Sequence, residues 1–454
     1  MLSMIILTIT GVLVLFLGLG KGKNFILPVA GLGVLTAMWS YFHYNPIGDQ
    51  WMKGMMSMEA IPAAFVGLLL SCTLLIIPFL NRYKLRGPGE LGDFAGIILF
   101  AVIGGMMMVS HEDLMILFLG IEMLSIAMYI LAGSDRRIIQ SNEASLKYLI
   151  MGSFASAIFL FGVGLYYVAT GTFKLVDFKI ISPEIFAISI MVIFAGLAFK
   201  VSLAPFHFWA PDVYQGSPTL VTAIMATVVK IAGFGALFQF LRHQVMHTGE
   251  WYYWLILLVA ISSMVIGNVM AFGQRSVKRL LAYSGVVQAG FILVGFLHLK
   301  DENSWMIVFY LVAYVLASLV SFVAIYFVES KKGSDDISEF KGLFFQNPFL
   351  AIVFTIALLS LGGGPLTAGF MAKLFVLYHA AGLGSPLFVV LALILAVISM
   401  YYYFKVINQF FTKEEEATSE WKLDWTYQSV LLLISALTIC LGLFPYLLTQ
   451  WIGA

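Results

Sequence analysis

Residues 199–234 read FKVSLAPFHFWAPDVYQGSPTLVTAIMATVVKIAGF. The stretch is apolar enough to lie in a bilayer, yet it holds Lys200, Lys230 and three prolines, Pro205, Pro211 and Pro218. Proline removes a backbone donor and stops a helix. Irregular backbone at membrane depth is tolerated only where it is buried in protein or lines water. The combination predicts a broken membrane helix and then a second span, with lysines inside both.

The rest of the chain agrees with that reading. Its 454 residues are 61% hydrophobic and 11% charged, with a mean hydropathy of +0.97. A soluble domain is about 25% charged, so this chain lacks the polar material for a water-facing surface. Apolar runs of about 20 residues, the length a bilayer asks of a helix, recur from end to end. The alternating ten-residue segments of a β-barrel are missing. The fold class is an all-α polytopic membrane protein, a lipid bilayer its medium. A formal net charge of +1 gives no footing for nucleic acid. Cys72 and Cys440 both lie in apolar spans, far apart, and build no disulfide framework, cluster or zinc site. Residues 2–20 lack a basic leader and a small-residue cleavage site and read as a first span.

Fourteen spans follow, at about 2–20, 24–42, 60–80, 93–109, 112–132, 143–169, 184–209, 216–241, 251–272, 277–298, 303–328, 348–380, 383–411 and 425–448. The twelfth is too long for one helix and contains Gly362-Gly363-Gly364-Pro365, which reads as a break between two half-helices. Connections after odd-numbered spans carry fifteen basic residues: Lys21, Lys23, Arg82, Lys84, Arg86, Arg136, Arg137, Arg275, Lys278, Arg279, Lys331, Lys332, Lys341, Lys413 and Lys422. Those after even-numbered spans carry five: Lys53, Lys174, Lys179, Arg242 and Lys300. The positive-inside rule puts the first set in the cytoplasm and both termini on the opposite side.

Five basic residues remain inside spans, all lysines: Lys147, Lys200, Lys230, Lys373 and Lys405. One acid, Glu122, is placed well inside a span. A charged side chain at a helix centre costs about 2.5–3.5 kcal/mol on insertion scales and is kept where it faces a bundle interior, a partner or a water path. Lys147 and Lys405 lie toward span ends, where a long stem can carry the ammonium to the interface instead. Lys200, Lys230 and Lys373 lie deeper. Desolvation can lower a lysine pKa by up to about 3–5 units, and a nearby carboxylate opposes that shift. A carboxylate such as Glu122 moving relative to Lys200 would switch the lysine between holding and releasing a proton. Lys200 precedes one helix break and Lys373 follows the other. Each is followed by a lysine in the next span, Lys230 and Lys405. Broken helices in matching positions of two halves mark repeat-built transporters. The spacing divides the chain into 1–92, a first repeat over 93–241, a second over 242–411 and a last helix in 412–454.

With these residues in place, a resemblance is plain. The quoted stretch resembles the signature of the antiporter-like membrane subunits of respiratory complex I, the proton-pumping NADH:quinone oxidoreductase. Its form PDVYQGSP is closest to the subunit N branch. LGIEMLSIAMYILAG (119–133), SNEASLKYLIMGSFASA (141–157), QRSVKRLLAYSGVVQAGF (274–291) and GGPLTAGFMAKLFVL (363–377) agree. One departure is Gln288, where many relatives have histidine, which puts a histidine relay there in doubt.

The resemblance implies two inverted-topology five-helix repeats and a place in the bacterial cell inner membrane beside other membrane-arm subunits. It implies Glu122 and Lys200 as the charged pair of the first half-channel, Lys230 as the central relay and Lys373 as the broken-helix lysine of the second half. Lys147 is implied as an accessory and Lys405 less firmly so. The chain would then be a translocase subunit with no redox chemistry or cofactor of its own; NADH, FMN, iron–sulfur clusters and quinone would belong to other subunits.

His207 sits beside the first break and is either a proton carrier or a histidine satisfying a freed carbonyl. Gly87-Pro88-Gly89-Glu90-Leu91-Gly92 matches GxGxxG in letters only, since no strand precedes it. The remaining histidines, His298 among them, lack metal-ligand spacing, and Glu414, Glu415 and Glu416 read as a solvated face. Three other functions stay open at this point: a subunit of a multisubunit cation/proton antiporter, a secondary transporter binding an anionic solute at Lys200, and a purely structural membrane subunit.

Overall fold

An apolar run in lipid must satisfy its own backbone, and helices do so segment by segment. The structure, a computed structural model, describes residues 1–20, 23–43, 54–57, 59–81, 88–297, 299, 304–383, 386–413 and 421–452. Nineteen α-helices run through them in chain order. They are α1 (Leu2–Leu19), α2 (Lys23–His43), α3 (Ala60–Leu80), α4 (Pro88–Ser110), α5 (Leu114–Ala132), α6 (Ile139–Thr170) and α7 (Pro183–Lys200). Next come α8 (Trp209–Gly216), α9 (Thr219–Ala226), α10 (Val228–Gln244), α11 (Trp251–Phe272), α12 (Val277–Val294) and α13 (Trp305–Lys332). The last are α14 (Leu343–Gln346), α15 (Pro348–Gly362), α16 (Ala368–Gly382), α17 (Pro386–Phe411), α18 (Trp425–Leu443) and α19 (Tyr446–Ile452). Among the described residues, β-pairing is limited to three isolated bridges. Lys21, Lys53, Arg82, Lys84, Arg86, Gly87, His298, Lys300, Glu414, Glu415 and Glu416 lie outside the described residues.

Among the described residues, thirteen helical segments are long and apolar enough to span a bilayer. The one expected span not among them, the twelfth, is the divided one. It ends as α15 at Gly362 and restarts as α16 at Ala368, 15 residues each. The first break also falls where the prolines put it: α7 stops at Lys200 and α8 begins at Trp209. A third interruption was not legible from Pro or Gly. The span after Pro218 is cut at Thr227, which takes φ −117° and ψ −76° between α9 and α10.

The chain groups into two units. One holds residues 1–201 and 216–249, the other 202–215 and 250–454. In the first, α1 packs on α4, α4 on α5, and α6 on α7, with α10 against α3, α4 and α7. Every residue from Val228 to Leu241 is buried. In the second, α11 packs on α12, and α13 on α15, α16 and α18. The short helix α8 belongs to this second unit up to Gln215. Arg279, near the start of α12, fixes it there by donating to Asp212 at 2.6 Å and to Gln215 at 3.2 Å. These two acceptors are polar letters of the PDVYQGSP stretch. Large apolar side chains such as Phe16, Leu19, Trp39, Phe154, Leu387 and Val397 are exposed on the helix exteriors.

Candidate functional site

Two sites emerge, one per unit, each built where a helix stops short. A helix that ends leaves carbonyls without intrahelical donors, and in an apolar interior something must satisfy them.

In the first unit, α7 ends at Lys200 and the carbonyl of Val201 is left open. Lys230 reaches it from α10, its ammonium donating to Val201 O. The approach is allowed by Gly233, one turn on. A Cβ there would sit 2.5 Å from Val201 Cγ1. Thr227, four residues before Ile231, donates its hydroxyl to Ala223 O at 2.6 Å. Such back-bonding competes with the helix ladder and bends it, which accounts for the interruption one turn before Lys230. Lys230 is 2% exposed, and it lies at the start of a half-helix rather than in the middle of a continuous one.

Lys200 is also 2% exposed. Its ammonium donates to Ser125 Oγ at 2.5 Å and lies 5.7 and 5.9 Å from the ring centroids of Tyr129 and Tyr148. Ser125 in turn donates its hydroxyl to Ile121 O. Glu122, half-buried one turn earlier on α5, accepts from Ser156 at 2.5 Å and lies within electrostatic reach of Lys200. The carboxylate and the ammonium are thus held one helical turn apart by separate serines, not fused in a direct ion pair. Lys147 is bonded to Glu143 on its own helix at 2.7 Å and is substantially exposed.

In the second unit, α15 ends in Gly363, whose φ of +85° favours glycine. Lys373, on α16, turns back and donates to both Leu361 O and Gly362 O at 2.9 Å. Its ammonium lies 5.0 Å from the Phe291 ring centroid, and the residue is 6% exposed. Gly363 is needed twice, because a Cβ there would also stand 3.3 Å from Lys373 Nζ. Both breaks hold a non-glycine residue in the left-handed region, Ser202 at φ +52° and Leu366 at φ +68°. Backbone strain of this kind costs about 1–3 kcal/mol and gathers at functional sites.

His207 is 2% exposed in the first break, with its Nδ1 unpartnered among the described residues. The nearby backbone is held by Ser263, which accepts from Ala204 N at 2.9 Å. Lys405 is half-buried and donates to Gln274 O at 3.4 Å, near the start of α12. Gln288 donates to the same Leu361 carbonyl at 2.7 Å. Sequence reasoning missed Ser125, Ser156 and Tyr310. Isolated hydroxyls in apolar helices carry no pattern, and their partners, Lys200, Glu122 and Gln288, are 75, 34 and 22 residues away.

Outside the spans, His111 joins α4 to α5 and is fully buried. Its Nδ1 meets Met108 O at 2.6 Å. Burial, against that carbonyl and with His243 and Arg242 nearby, pushes its pKa from 6.5 down to about 3.

Comparison with known proteins places this geometry. The family described as NADH:quinone oxidoreductase/Mrp antiporter, TM, matches residues 111–399. The chain is 37% identical to "NADH-quinone oxidoreductase subunit N" of Flavobacterium johnsoniae, covering 98% of each chain. It is 38% identical to the protein of the same name from Cytophaga hutchinsonii, over 99% of this chain and 98% of that one. Among solved structures, a chain of respiratory complex I from Thermus thermophilus superposes with a TM-score of 0.84 at 30% identity, over 99% of this chain and 98% of that one. A chain of the Mrp complex from Dietzia shares the fold, with a TM-score of 0.84 at 20% identity and coverage of 100% and 96%. With that family match across more than half its length, and relatives of this identity along nearly all of it, the chain belongs to the NADH:quinone oxidoreductase/Mrp antiporter membrane family.

Proposed function

We infer that this chain is an antiporter-like, proton-translocating membrane subunit of complex I, working beside other membrane-arm subunits. Protons pass through its buried lysines, coupled to quinone reduction elsewhere in the complex. One observation carries the reading. Lys200, Lys230 and Lys373 are each buried, and each donates to a neutral oxygen: a serine hydroxyl, a peptide carbonyl, and two peptide carbonyls. Neutral acceptors hold an ammonium without pinning its charge as a carboxylate would, so loss of the proton leaves no buried anion behind. Glu122, one turn from the serine that holds Lys200, is placed to bias that loss by its charge. His207, Lys147 and Lys405 are secondary members, the last two on span ends. The NADH, flavin, iron–sulfur and quinone chemistry belongs to other subunits of the complex. The membrane is the bacterial inner membrane, with both termini on its non-cytoplasmic side.

The test uses membranes with matched complex content, measuring quinone reductase activity and proton-gradient formation together. Lys230→Ala should lower coupled translocation by about tenfold or more while the complex still assembles. Lys230→Arg should fail likewise, because guanidinium keeps its proton. Glu122→Gln should impair turnover comparably and Glu122→Asp should keep part of it. Full coupling in Lys230→Ala would make Lys230 a structural cap on Val201 O and overturn the reading.

A further inference from the structure

Pro365 removes the donor that would have closed the last turn of α15. In an α-helix the carbonyl of Leu361 accepts from the N–H four residues on, and residue 365 is a proline with none to give. Gly363 and Gly364 turn back instead to Ser360 O and Leu359 O, at 3.0 and 2.7 Å. Leu361 is 4% exposed, so its open carbonyl lies in an apolar interior where it has to be satisfied. Two side chains do so. Lys373 donates to it from α16 at 2.9 Å, and Gln288 donates to it from α12 at 2.7 Å. A carbonyl oxygen has two lone pairs, so it accepts from both at once.

The two donors differ in constancy. Gln288 is 2% exposed, and its partners fix which way its amide faces. Its Oε1 accepts from the Tyr310 hydroxyl at 2.7 Å, and its Nε2 also donates to the Tyr403 hydroxyl at 3.4 Å. Turned over, the amide would set its oxygen against Leu361 O. An amide keeps its hydrogens at any pH near neutral. Lys373 does not. As an ammonium it has three donors and charge-assisted bonds, about twice as strong as neutral ones. As an amine it has fewer hydrogens and a lone pair that carbonyl oxygens repel, and its hold on Leu361 O and Gly362 O weakens.

Resting on the proton-translocation reading, we propose that Gln288 is a positioning residue: it is the standing donor to Leu361 O, and it keeps the second helix break in shape while Lys373 gives up its proton. A seat built on Lys373 alone would loosen at each release, and the lysine would return to a changed site. With Gln288 in place, Leu361 O stays satisfied and stays aimed at the lysine through both states. No proton passes through the amide; it acts through the carbonyl that the two share.

The experiment compares Gln288→Met, Gln288→His, Lys373→Met and the double variant Gln288→Met with Lys373→Met. Coupled proton translocation is measured in membranes with matched complex content, and the thermal midpoint is measured on the purified complex. Methionine keeps the length of glutamine and gives up the donor; neutral histidine keeps one donor and one acceptor in a different shape. Gln288→Met should slow coupled translocation about fivefold or more, and Gln288→His should stay near the parent. A role in packing alone predicts the opposite order. Each single variant leaves Leu361 O one of its two donors, and the double variant leaves it neither. The double variant's midpoint should therefore fall by more than the sum of the single shifts, and loss of assembly in the double variant alone is the same outcome in stronger form. Failure of Gln288→Met to assemble beside a working Gln288→His also supports the donor role. Additive midpoints, equal loss in Gln288→Met and Gln288→His, or failure of both to assemble overturns it. Loss in Lys373→Met beside full translocation in Gln288→Met sinks this inference alone. Full translocation in Lys373→Met sinks the proton-translocation reading at Lys373 as well.

Discussion

His111 shows how burial alone can set a pH limit on a residue far from the lysines. Its ring is neutral in the fold because burial outweighs the Met108 carbonyl, and His243 and Arg242 discourage a further positive charge. Above pH 6.5 the ring is neutral folded or unfolded, and its contribution is fully present. As the pH falls from 6.5 toward 3 the unfolded chain takes a proton that the folded one refuses, so stability is lost across that window. His111→Gln should flatten the acid arm of a plot of denaturation midpoint against pH between 7 and 4; parallel arms would show that other groups set it. At this scale the sequence was uneven. Lysines in apolar spans stood out because each is costly there. The serines that hold Lys200 and Glu122 did not, because Ser in a membrane helix is ordinary until its partner is known. The Glu122–Lys200 pairing was implied by the family resemblance alone, and the separate serines that hold the two, Ser156 and Ser125, come together only in three dimensions.

Half-helices are the elements on which both sites depend, and their legibility followed their cause. Pro205 and Gly362-Gly363-Gly364-Pro365 break helices by covalent necessity and were visible in the sequence. Thr227 breaks one by choosing Ala223 O for its hydroxyl, a competition that the letter Thr does not announce. The seat of Lys230 depends on Gly233, so Gly233→Ala should force α10 away from Val201 Cγ1 and lift the lysine from Val201 O. Overpacking of this order costs about 1–3 kcal/mol. Gly164→Ala is the control: no atom lies within 4 Å of its added Cβ, and alanine favours a helix. Thermal denaturation of the purified complex should fall for Gly233→Ala and hold or rise for Gly164→Ala. Equal midpoints would mean that α10 can yield without cost.

For the molecule as a whole, hydropathy made the helix count readable and basic residues made the orientation arguable. Arg136 and Arg137, before α6, and Lys174 and Lys179, after it, are all exposed, and a single spanning helix separates the two pairs. In a Cys440→Ser background, with Cys72 buried, single cysteines at 136 and 174 should react with an impermeant thiol reagent from opposite sides, 136 from the cytoplasm. Reaction of both from one side would sink the assigned topology. The grouping into two units was not legible in detail, because contacts such as those of Arg279 with Asp212 and Gln215 join residues more than sixty positions apart. That grouping bears on how such a gene could ever be divided. Residues 202–215 group with the later part of the chain, yet are encoded inside the earlier one. A gene severed between codons 249 and 250 would give a leading fragment carrying a borrowed loop, and a trailing fragment whose α12 lacks the acceptors Arg279 expects. Neither product would be a self-sufficient half, and complementation in trans would amount to a domain swap.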